Sequence, residues 1–159
     1  MNKRVVGSGV TPRGIYLLAR CYHEAADIVT TGHRLAFSDH PSRLLYLHAA
    51  ETYLRCFLRF KEYTPEKVRA FNHHLGELLD EAVGLGLIVS PKATKYLRSV
   101  AEENDYVRVR YDINIRPTSW PPPKRTRTIA LSGLQTTLLE LQSSVENGLR
   151  EAGFSLPKA

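Results

Sequence analysis

Apolar and polar positions alternate along most of this chain with the spacing of α-helices. Between Pro41 and Tyr63 (PSRLLYLHAAETYLRCFLRFKEY) the polar side chains fall on one narrow stripe: His48, Glu51, Thr52, Arg55, Arg59 and Glu62. The remainder is mostly apolar, so the apolar arc spans roughly 200°, against the ~100° of an ordinary surface helix. A helix of that kind must be covered on two or three sides. It is expected to be the central helix of a helical domain.

The flanking stretches supply the cover. Thr11-Pro12 reads as a helix start, with Thr as N-cap and Pro in the first turn. Ile15, Leu18, Tyr22, Ala25 and Val29 then form a stripe that Gly32 ends. Thr64-Pro65 starts a third helix with the stripe Val68, Phe71, Leu75, Leu78, Leu79, Ala82 and Leu85. The second and third helices are expected to be antiparallel neighbours, because almost nothing separates them. Ser90-Pro91 starts a fourth, striped by Ala93, Tyr96, Leu97, Val100, Asn104, Val107 and Tyr111. Asn104, polar at an inward position, requires a hydrogen-bond partner.

INIRPTSWPPPKRTR breaks the pattern, since four prolines forbid a helix and favour an extended, stiff segment. Beyond it Leu131, Leu134, Leu138, Leu141, Val145, Leu149 and Ala152 recur in 3-4 order. Ser132 and Gln135 suggest a capping box, and Gly153 a stop. Such a seam can pack on this chain's own bundle or on a partner subunit. The predicted class is all-α: a mobile 1–10, an antiparallel four-helix up-down bundle over 11–112, a Pro-rich basic arm over 113–127, and a C-terminal fifth helix within 128–159.

Composition adds bounds. The 159 residues, 43% hydrophobic and 24% charged, suit one soluble domain. No apolar run approaches the ~20 residues of a membrane span, and the N-terminus lacks the apolar core of a secretory signal. The two cysteines, Cys21 and Cys56, form no disulfide framework or metal spacing. Both fall within apolar helical surroundings, which suits a reducing cytoplasm and a structural role. The net charge of +6 permits a nucleic-acid partner, but the 15 Arg and 7 Lys are spread over the chain, as on an ordinary solvated basic surface.

Three helices carry a histidine near an acid: His23/Asp27, His48/Glu51, and His73 or His74 with Glu77. Facing pairs could bind a metal in a bundle. By wheel geometry these point away from the apolar stripes, so local pairing on solvated faces is expected and no metal. There is no phosphate loop, no nucleophile elbow and no HExxH, and no cofactor is expected.

The runs HAAETYLRCFLRF, FNHHLGELLDEAVGLGL and LRSVAEENDYVRVRYD together resemble the HEPN superfamily of small helical bundles. Ala50, Glu51, Leu54 and Arg55 match its central-helix pattern. His73, His74, Leu75, Leu78 and Leu79 match the start of the next helix, and Arg110-Tyr111 the end of a late one. The resemblance covers about residues 12–112. It implies a bundle that often forms a homodimer and, in many members, RNA cleavage or nucleotide binding, sometimes beside an antitoxin-like protein partner.

The family's ribonucleases carry an Arg followed four to six residues later by His, late in the fold. Here Arg110 is followed by Tyr-Asp-Ile-Asn-Ile-Arg. Arg34/His40, Arg43/His48 and Arg69/His74 have the spacing elsewhere, though roughly two such matches are expected by chance, so context must decide. Arg69 and His74 are the candidate catalytic pair, because His74 borders its apolar stripe. His could act as base or acid toward a ribose 2′-hydroxyl while Arg stabilises phosphate charge.

Candidate binding residues are Arg55 and Arg59 on the central stripe, Arg108, Arg110 and Tyr111, and Trp120, Lys124, Arg125 and Arg127 in the arm. In the arm an aromatic, stiff prolines and cations could stack on bases or hold phosphates, although a spacer needs no more. The expectation is a HEPN-like binding module, catalytically degenerate, that binds RNA, a nucleotide or a partner protein. A metal-independent ribonuclease of toxin type and a metal-binding bundle are the alternatives.

Overall fold

A computed structural model describes residues 11–32, 39–102, 109 and 130–157. It contains helices α1 (Pro12–Gly32), α2 (His40–Phe60), α3 (Pro65–Ala70), α4 (Leu75–Gly84), α5 (Pro91–Glu102) and α6 (Leu131–Glu151). Among the described residues there is no strand, so the all-α class holds. No helix among them is long and apolar enough to cross a membrane. The predicted arm and Asn104 lie outside the described residues.

Local chemistry starts and ends the helices. Thr11 Oγ1 accepts from the Gly14 N–H at 3.0 Å, Thr64 Oγ1 from Lys67 at 3.2 Å and Ser90 Oγ from Ala93 at 3.1 Å. Each precedes a proline whose missing N–H would have no helical partner anyway. Gly153, at φ +86°, ends α6, and the Phe154 N–H returns to the Leu149 carbonyl at 3.0 Å. The expected Ser132/Gln135 capping box is not formed. Ala130 is the N-cap without a side-chain bond, and Gln135 turns to α2 instead.

As its wide apolar arc requires, α2 is central: it packs on α1, α3, α4 and α6. It buries Tyr46, Leu47, Ala49, Ala50, Tyr53, Leu54, Cys56, Phe57 and Leu58, and also the polar Ser42, Arg43, Glu51 and Thr52. The last helix packs in cis on α1, α2 and α5 through Leu134, Leu138, Leu141, Val145 and Leu149. Where α6 meets α5, a Cβ on Gly133 would lie 2.5 Å from the Tyr96 ring, so a larger residue there would force that ring to shift.

Two further expectations are corrected. The buried face of α1 is Ile15, Tyr16, Ala19, His23 and Ala26, about one residue, or ~100°, round from the predicted stripe. The cause is α6, which covers a second side of α1, so His23 is 4% exposed rather than turned outward. The predicted third helix is two helices. It breaks at Phe71–His74, where Asn72 adopts φ +47°. Asparagine enters the left-handed region more easily than most residues, and the break turns the chain back toward α2.

Candidate functional site

The polar stripe of α2 runs under the α3–α4 break. Glu51, 4% exposed, is its most enclosed charge. One turn later Arg55 donates from Nε to Glu51 Oε1 at 2.8 Å, with its Nη2 at 2.7 Å from the same oxygen. From the break, His73 Nδ1 lies 3.1 and 3.2 Å from the two carboxylate oxygens. His48 Nδ1 is 3.8 Å from Oε2, and the His48 ring meets Tyr22 of α1 edge-on, with centroids 4.3 Å apart. A carboxylate only accepts, so a neutral His73 must carry its hydrogen on Nδ1 to bond here. The His48/Glu51 and His73 groups, expected as separate local pairs on solvated faces, are thus gathered round one buried carboxylate.

Arg55 also braces the break. Its Nη1 donates to the Val68 carbonyl at 3.4 Å and its Nη2 to the carbonyl of Asn72. One guanidinium therefore joins the anion on α2 to the end of α3 and to the residue before His73. A planar fork of five N–H donors can do this where an ammonium cannot.

The remaining sequence candidates are placed as follows. Arg59 donates to the Tyr63 carbonyl. Arg69 is exposed and paired with Glu66 at 3.1 Å, and His74 is exposed at the N-cap of α4. His73 rather than His74 reaches α2. Arg43 is buried and paired with Asp39 at 2.7 Å. Arg34, Arg108, Arg110, Tyr111, Trp120, Lys124, Arg125 and Arg127 lie outside the described residues.

Among the described residues no three His, Cys, Asp or Glu side chains are arranged to hold a metal ion. At Glu51 the carboxylate is already met by a guanidinium. Cys56 is buried and donates to the Pro12 carbonyl at 3.1 Å, and burial pushes its thiol up to about 12, as a structural cysteine requires. Cys21 departs from its expected apolar surroundings: it is exposed, on the outer side of α1.

A second polar group sits between α1, α2 and α6. Tyr16 donates to Glu146, Tyr46 donates to Asp27 at 2.6 Å, and the Tyr53 hydroxyl is 3.5 Å from His23 Nδ1. All three tyrosines are wholly buried. Burial raises each phenol, and it lowers His23 against the opposing pull of Asp27 and Gln142. Burial alone would raise Glu146, but bonds from Tyr16 and Arg150 outweigh it and hold the carboxyl below its usual range. The three phenols, His23 and Glu146 are all shifted away from neutrality, which fits a structural layer better than a reacting site.

Compared with protein-family models, curated proteins and solved structures, the chain matches none of them.

The convergence of His73 on Glu51 was not foreseen from spacing. The available signal was Asn72: a turn-favouring residue inside an otherwise continuous apolar stripe, directly before two histidines.

Proposed function

We propose that this chain is a divergent HEPN-like module whose antiparallel up-down bundle is formed by α1, α2, α3–α4 and α5, and that it binds RNA or a nucleotide at the Glu51 cluster without cleaving it. The observation that carries this reading is the gathering of His48, Arg55 and His73, from two separate stretches, on one buried carboxylate. Imidazoles held there can bond to phosphate or ribose oxygens. Arg55 is committed to Glu51 and two backbone carbonyls, so it does not supply the phosphate-stabilising cation that cleavage would need.

The test is anisotropy with labelled single-stranded RNA and with nucleotides. Binding should weaken with salt and fall at least about five-fold in His48→Gln/His73→Gln. No binding at low salt, or binding indifferent to both changes, rejects the reading. Retention of a partner protein instead of RNA would move the module to protein recognition, as would a homodimer that occludes the cluster.

A second reading is a metal-independent ribonuclease. His73 backed by Glu51 at 3.1 Å is the arrangement by which a carboxylate orients a general base. RNA cleavage in EDTA, abolished by His73→Gln, would establish it. Cleavage abolished by His74→Ala and kept in His73→Gln would assign it to Arg69 and His74.

A further inference from the structure

The bond from Arg55 to the Asn72 carbonyl links two parts of the chain that the helix pattern alone leaves unconnected. Asn72 stands in the left-handed region, where it turns the backbone between α3 and α4, and His73 follows it directly. The neighbouring bonds of the turn are local: Asn72 N–H to the Arg69 carbonyl at 2.9 Å and His74 N–H to Phe71 at 3.0 Å. They shape the turn but do not tie it to α2. Arg55 does, from a position 21% exposed on a helix whose next turns are core.

We infer that Arg55 is a positioning residue for His73: by holding the Val68 and Asn72 carbonyls and Glu51 Oε1 at once, its guanidinium sets the turn so that His73 Nδ1 meets the Glu51 carboxylate. This deepens the reading of the Glu51 cluster as the binding site and rests on it for its functional weight. The alternative role, a countercharge for a buried anion, makes a different prediction. A countercharge can be removed and the carboxylate will still accept from His73. A positioning residue cannot, because the imidazole is no longer delivered.

The readout is the tautomer of His73, followed by long-range proton–nitrogen NMR on the full chain at a pH where the imidazole is neutral, with His73→Gln identifying its signals. The wild-type chain should show the Nδ1–H form, since a carboxylate only accepts. Arg55→Gln should shift His73 toward the Nε2–H form that an imidazole in water favours, while the signals of Leu97 and Leu141 in the core stay in place. An Nδ1–H form that persists in Arg55→Gln overturns the inference, and so does its absence from the wild-type chain.

If Arg55→Gln does not fold, Arg55→Lys serves. It keeps the charge but cannot span three acceptors, so a partial loss of the Nδ1–H form is expected and none would refute the role. RNA binding by the same variants separates the two claims. A lost tautomer with weakened binding supports both. A lost tautomer with undiminished binding supports the positioning role and removes binding from this cluster.

Discussion

Gln135 and Tyr46 meet across the α2–α6 contact: the amide donates to the phenol oxygen at 2.9 Å, and that phenol passes its own hydrogen to Asp27 of α1 at 2.6 Å. One hydroxyl therefore joins three helices. Tyr46→Phe should keep the packing and lose these two bonds together with the one that Thr30 Oγ1 donates at 3.4 Å, lowering unfolding free energy by about 1–3 kcal/mol. Urea denaturation measures this, and a change within error would mean the hydroxyl does not hold the helices together.

Acid should weaken the fold in two stages. Burial lowers His23, so the native chain takes up that proton less readily than the unfolded one, whose imidazole titrates near ~6.5. The stability gained by keeping His23 neutral is complete above that value and is lost as pH falls through the lower native one. Glu146, held below its ordinary 4.5, contributes stability above that value and loses it at still lower pH. Urea midpoints at successive pH values should therefore fall first through His23 and then through Glu146. His23→Gln should flatten the upper stage alone. Parallel losses in both proteins would count against the assignment.

The break between α3 and α4 depends on Asn72 tolerating φ +47°. Asn72→Gly should cost little, whereas Asn72→Val should cost about 1–2 kcal/mol, because a branched Cβ crowds the left-handed conformation. Thermal unfolding of the pair checks this. Equal stability would show that the turn relaxes to another geometry.

The two thiols should differ in reactivity. Cys21 is exposed, whereas Cys56 is enclosed and held protonated by burial up to about 12. A colorimetric thiol reagent at pH 8 should label one equivalent quickly and the second only with unfolding. Two fast equivalents would show that the core around Cys56 opens readily.

What could be read in advance follows from the range of the forces involved. The Thr-Pro and Ser-Pro starts and the Gly153 stop are local chemistry, and each is found where its residues stand. The centrality of α2 was legible because an apolar arc wider than one interface has only one remedy. The face of α1 was not, because tyrosine and histidine can sit on either side of a boundary, and α6, far along the chain, decides between them. The α3–α4 break was masked because Val68, Phe71, Leu75 and Leu78 keep helical spacing straight through it. With the break hidden, the meeting of His73 and Glu51 was hidden as well.

The dependence of α1 and α2 on α6 has a consequence for synthesis. While the ribosome is still making the middle of the chain, Tyr16, Tyr46 and Leu54 can find only part of their final surroundings. The core closes once Leu149 has emerged, so folding of α1 and α2 waits on a helix about a hundred residues further along, and until then the nascent chain carries greasy and hydroxyl-bearing surface that a chaperone would recognise.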